Sequence, residues 1–316
     1  MDIIKRIDCA LIKNPTNLAK TLTILSSFFY VITGTIIKQI EGFQGYEILF
    51  YRSMISLLIN HAFITYRKYD SYSKSTYTQN KLILRAFIGS AGHLAYFTAF
   101  QLVYNVSDAT PLVLTSPIIA CILSAILLKE HLQRQTVVLL LISFGGIMLI
   151  IQPAFIFGNK GNDLGMVKED FENTYKNPTL GQIFAFTFSV CQALAIVVVR
   201  KLRNAVHNTV VVQYSFFIPL FLGGVMMIVN GKFNERIFLL ENFIAMIFVA
   251  LSNYSAQICY SKAIFLCQAS QITPLTYSQV IFSYFIDLLY FGNGISYLSI
   301  LGSIIVVICS IILSRK

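Results

Sequence analysis

The 316-residue chain is 56% hydrophobic, only 12% charged, and carries a formal net charge of +10. Soluble domains average about 25% charged residues, so the missing charge points to lipid contact and argues against a soluble enzyme or carrier. The surplus Lys and Arg stand at the ends of apolar stretches, where membrane proteins keep them, and no separate basic patch with interleaved aromatics points to nucleic acid.

Residues 1–17 form a short basic tail with Lys5, Arg6 and Lys13 and no small-residue cleavage site, so the first span is expected to act as the anchor. Ten apolar spans follow, most near the ~20 residues a helix needs to cross the hydrocarbon core. They lie at 18–37, 46–66, 81–103, 109–128 and 135–151, then at 179–199, 209–229, 243–266, 272–290 and 295–313. The predicted divisions are a cytoplasmic tail at 1–17, a five-span repeat at 18–151, an extracytoplasmic loop at 152–178, a second repeat at 179–313, and a cytoplasmic tail at 314–316. The fold class is therefore all-α integral membrane, with ten transmembrane helices. Placing both termini in the cytoplasm puts most of the 24 Lys and Arg on the inside, including Arg67, Lys68, Lys81, Arg85, Lys129, Arg134, Arg200 and Lys201. The six cysteines show no CxxC spacing and read as small apolar side chains. With no Trp in the chain, Tyr, Lys and Arg are the interfacial anchors.

The halves match at a shift of about 163 residues. Lys38 falls on Lys201, and LLKE at 127–130 falls on YFGN at 290–293. Gly89, His93 and Tyr96 of the third span correspond to Asn253, Gln257 and Tyr260 of the eighth. Each trio repeats at i, i+4 and i+7, so it lies on one helix face. An odd number of spans per half makes the halves inverted, and inverted repeats hold substrate near the midplane between them.

Four stretches carry a resemblance to a known family: GTIIK at 34–38 with YEILFYR at 46–52, SP at 116–117 with LLKEHL at 127–132, the closing GGIMLI, and TPLTYSQ at 273–279 before YFGN. Together with ten spans, the chain resembles the drug/metabolite transporter superfamily in its EamA-type form, close to the solute carrier 35 proteins. Asn293 stands where that family often has Glu. The resemblance implies alternating-access transport of a small metabolite, such as an amino acid, organic acid or nucleotide sugar. It leaves the substrate open, because one fold hosts many.

Polar groups at membrane depth mark candidate substrate contacts. These are Arg52, which offers a planar fork to a carboxylate or phosphate, and the matched His93, Tyr96, Gln257 and Tyr260, with Gln279 in the ninth span. Each has a competing structural role: Arg52 as an ion pair with Glu47, the others as interhelical hydrogen bonds. Proton or gate candidates are Glu47, Glu130, Asp287 and Lys262, with solvation at a helix end or snorkelling as the alternative. Pro117 and Pro219 read as mid-span hinges, and Pro274 opens the ninth span.

No nucleotide-binding, nucleophile-elbow or metal-ligand pattern occurs, so no catalytic residues, cofactor or metal are expected. The expected partners are a small-molecule solute and the bilayer, with the protein a monomer or homodimer. The leading function is secondary transport of a small polar metabolite, anionic or zwitterionic. The alternative is a non-transporting membrane scaffold or regulator that kept the fold.

Overall fold

The computed structural model describes residues 15–40, 42–69, 75–102, 112–129, 133–151, 177–203, 205–230, 235–291 and 297–314. Among them run ten helices of at least thirteen residues. The first five are α1 (Pro15–Gln39), α2 (Gly45–Arg67), α3 (Thr76–Leu102), α4 (Ser116–Leu128) and α5 (Arg134–Ile151). The second five are α6 (Pro178–Leu202), α7 (Asn208–Asn230), α8 (Leu240–Leu266), α9 (Ser278–Phe291) and α10 (Tyr297–Ser314). No strand occurs among the described residues.

Local chemistry sets several helix ends. Gln44 and Glu47 form a capping box at the start of α2, satisfying two backbone N–H groups. Asn177 accepts from the Leu180 N–H at 3.2 Å, and Pro178 follows at the first helical position, where its missing N–H is harmless. Lys68 and Lys129 close α2 and α4 in the left-handed region, at φ 55° and 54°. Inside the helices, hydroxyls such as Thr23, Ser90 and Ser143 donate to the carbonyl four residues back. These bonds satisfy polar groups that hydrocarbon cannot.

Two expected details change. The sequence places Pro117 mid-span, but it lies in the first turn of α4, after a turn at 114–115, and so breaks no helical ladder. The ninth span is not one helix: a single turn, Ala269–Ile272, and a 3-10 segment, Thr273–Tyr277, precede α9. Pro274 sits at the start of that 3-10 segment.

Helix packing has a two-fold pattern. The broadest contacts are α3 on α6 and α1 on α8, followed by α2 on α7 and α5 on α10. Exchanging α1–α5 with α6–α10 maps this set onto itself. The lesser pairs obey the same exchange: α4 on α6 answers α9 on α1, and α3 on α7 answers α8 on α2. The repeat seen in the sequence is thus a pseudo-two-fold in space, and five helices per half make it an inverted one.

Five helical segments are long and apolar enough to cross a membrane: Pro15–Ile37, Gly45–Arg67, Thr179–Leu202, Asn208–Asn230 and Leu240–Leu266. The 27-residue α3 carries Arg85 and His93 on one face toward the bundle interior. On the outside, Leu58, Ile126, Phe221, Ile228 and Phe248 are all more than half exposed, as lipid-facing residues are. Small side chains bring helices close on the inside. A Cβ on Gly92 would stand 3.0 Å from that of Cys191, joining α3 to α6. Gly302 packs directly on the Gly146 carbonyl where α5 crosses α10.

Candidate functional site

The first three helices of each half enclose a two-lobed cavity. Arg85, Gly89 and His93 recur every four residues on α3 and form one stripe facing it. Asn253, Gln257 and Ser261 form the matching stripe on α8. One lobe adds Tyr30 of α1, Gln192 of α6 and Tyr260 of α8. The other adds Arg52 of α2, Ser90, and Ser215 and Pro219 of α7. Arg85, Gln192 and Gln257 line both lobes.

The arginines give the cavity its character. Arg52 is only 7% exposed, and its Nε has no hydrogen-bond partner. No Arg52–Glu47 ion pair exists among the described residues, because the Glu47 carboxylate accepts instead from the Gln44 N–H at 2.7 Å. Arg85 donates to the Ser215 hydroxyl, which in turn donates to the Val211 carbonyl at 2.6 Å. The Arg85 Nε is also buried and unpartnered. Among the described residues no Asp or Glu lines either lobe. His93 Nδ1 lies 2.6 Å from the Gly89 carbonyl, which only accepts, so Nδ1 carries the proton in that bond.

The structure brings together Arg52, His93, Gln257 and Tyr260 from the sequence candidates. Tyr96 does not line the cavity and packs against Phe188, ring centroids 5.2 Å apart. Gln279, half-buried at the start of α9, lines neither lobe. Glu47 caps α2, and Lys262 lies exposed on α8 outside both lobes. Glu130 and the Asp287 side chain fall outside the described residues. Pro219, expected as a mid-span hinge, lies inside α7 and lines the cavity.

The main residue missed from sequence is Arg85. Near the start of its span it read as an interfacial cation, yet it stands one turn before Gly89 and two before His93, and that spacing was the available signal. Tyr30, Gln192 and Ser261 were missed as well; single polar residues in apolar spans carry too little pattern.

The two ends of the cavity differ. At the end holding the start of α1, one apolar cluster crosses both halves, joining Ala19, Leu82, Val199, Val211, Ile264 and Ile272 among others. There Arg200 of α6 donates to the Ile264 and Phe265 carbonyls of α8, at 2.8 and 3.2 Å. At the opposite end the described residues form two separate clusters. Ile40, Ile48, Met227 and Met246 gather on the α1–α2–α7–α8 side, and Ala99 with Ala185 on the α3–α6 side.

Comparison with known proteins supplies independent findings. The model of the EamA-like transporter family matches residues 17–152 and again 179–315. Mouse solute carrier family 35 member G1 is 24% identical over 90% of this chain and 75% of its own length. The pseudopaline exporter CntI of Pseudomonas aeruginosa PAO1 is 21% identical over 93% of this chain and 95% of its own. A solved crystal structure superposes with a TM-score of 0.77 at 14% identity, covering 94% of this chain and 97% of that one, a likeness of fold alone.

Proposed function

Since the chain belongs to the EamA-like transporter family, we propose that it carries a small polar metabolite with an acidic group, opening the arginine-lined cavity to each side of the membrane in turn. Arg52 carries this reading. A buried cation without a protein partner costs several kcal/mol (roughly, by solvation estimates) unless a ligand supplies the counter-charge. The guanidinium fork matches a carboxylate or phosphate.

Alternating access is supported by the difference between the two ends of the cavity. One apolar cluster and the Arg200 bonds tie the halves together at the α1 start. At the other end the apolar contacts fall into two separate clusters, one on the α1–α2–α7–α8 side and one on the α3–α6 side. Because Lys and Arg concentrate in the links on the α1-start side, we place that side in the cytoplasm and read this state as facing away from it.

The test is uptake of labelled solutes by purified protein in liposomes, drawn from acidic, zwitterionic, neutral and cationic classes. Accumulation of acidic solutes that is lost in Arg52→Gln supports the proposal. Transport of no solute at all by folded protein returns the scaffold alternative.

A further inference from the structure

We infer that the transported solute bears two negative charges and no ammonium group, and that Arg85 is its second anion contact. This rests on the transport reading above and narrows it. The buried Arg52 and the half-buried Arg85 both line the same pocket, and each has a buried, unpartnered Nε. Arg52 has no hydrogen bond among the described residues, and Arg85 reaches only the neutral Ser215 hydroxyl. Among the described residues the other polar groups lining the two lobes are hydroxyls, amides and the His93 imidazole, with no carboxylate. The acid nearest in sequence to either arginine, Glu47, is committed to the α2 cap.

A singly charged solute matches one guanidinium and leaves the other buried and uncompensated. A doubly charged solute matches both, through the paired N–H geometry that carboxylates and phosphates share. An added ammonium has no carboxylate to meet and stands among like charges, so the site discriminates against it by repulsion. The lobe built from Gln192, Gln257, Tyr260 and the unpartnered Ser261 hydroxyl has donors and acceptors for hydroxyls or amides on the solute body. The shared chemistry is a small dianion with a neutral polar body, which a dicarboxylate or a phosphate monoester supplies.

Matched pairs test this in liposomes containing the full chain. Succinate and aspartate differ by one ammonium, as do 2-hydroxyethyl phosphate and phosphoethanolamine. The expected result is uptake of the dianion of at least one pair, with its ammonium-bearing partner about tenfold weaker or worse in competition, a difference of about 1.4 kcal/mol. Arg85→Gln should lose that uptake and Arg85→Lys should regain part of it, with thermal unfolding confirming that both variants fold. Equal competition by the two members of a transported pair overturns the inference. So does Arg85→Gln protein that folds and carries the dianion as before. Uptake of only monovalent, neutral or cationic solutes overturns the inference and leaves transport standing, whereas no uptake of any solute removes both.

Discussion

The two halves of this protein share a backbone plan but not a charge plan. At the shifts that superimpose the respective helices, 163 for α2 on α7 and 164 for α3 on α8, Arg52 corresponds to Ser215 and Arg85 to Val249. His93 corresponds to Gln257, and both reach the cavity. The helix starts differ too. Gln44 and Glu47 cap α2, whereas the corresponding His207 sits before α7, its Nδ1 at 2.8 Å from the Thr209 hydroxyl and accepting from the Thr209 N–H at 3.4 Å. The lesson is that geometry needs both halves and electrostatics needs only one. On the proposal of an acidic solute, a two-fold cavity with cations on one wall would hold it in one orientation.

The largest effect should come from removing the charge of the first half. Arg52→Gln is expected to lower kcat/KM for an acidic solute by about 30-fold or more, the scale of losing a buried charged hydrogen-bonded contact of about 2–5 kcal/mol. Thermal unfolding should hold steady or improve, because an unpaired buried cation has gone. Unchanged uptake would break the comparison outright.

Next in size is a wedge at the periphery, where the halves meet through α5 and α10. Gly302→Leu forces a side chain into the Gly146 carbonyl and is expected to cost about 1–3 kcal/mol of stability, read as a lower unfolding temperature in detergent. The same change at Gly34, where nothing lies within 4 Å, is the control that should leave the melt nearly unchanged.

A swap sharpens the comparison further. Arg52→Ser with Ser215→Arg moves the cation across the pseudo-two-fold. If the positions are equivalent, the double variant should regain about a tenth or more of the uptake lost by Arg52→Ser alone, a residual deficit of about 1.4 kcal/mol. No recovery in a folded double variant would show that the walls are not interchangeable.

The smallest effects lie at the caps. Glu47→Ala should cost about 1 kcal/mol in a stability assay, the usual value of a lost cap, with little change in uptake. A large loss of uptake would instead make Glu47 part of the transport cycle. Burial, with Lys262 adding to it, holds the His207 imidazole below its ordinary range. The folded protein thus binds fewer protons there than the unfolded chain does. The stabilising contribution is complete above the unfolded value of about 6.5 and is lost as pH falls through the folded value. His207→Gln should flatten the unfolding temperature against pH across that range.

Much of the architecture was legible because it is local. Apolar runs give the spans, and the polar positions repeating on α3 and α8 placed His93 and Gln257 on matched faces. Arg52 stood out because it is a cation within an apolar run. Arg85 did not, since a cation near a span end looks the same whether it snorkels to the interface or turns inward. Glu47 looked like a partner for Arg52, and only the Gln44–Glu47 capping box revealed where its carboxylate goes. Tyr96 and Tyr260 occupy corresponding positions, yet one packs on Phe188 and the other lines the cavity. Neighbours contributed by distant helices settle that choice.

The sequence by itself determined the membrane class, the spans, the five-plus-five repeat and its inversion. Hydrophobic run length and span parity depend only on the order of residues along the chain. Tertiary structure alone decided that two arginines converge on one cavity with no carboxylate beside them among the described residues, and that one apolar cluster spans the bundle at the α1 start while two separate clusters lie at the other end. The depth and rotation of each helix come from packing against partners far away in sequence, and those two quantities determine whether a charge meets water, protein or solute.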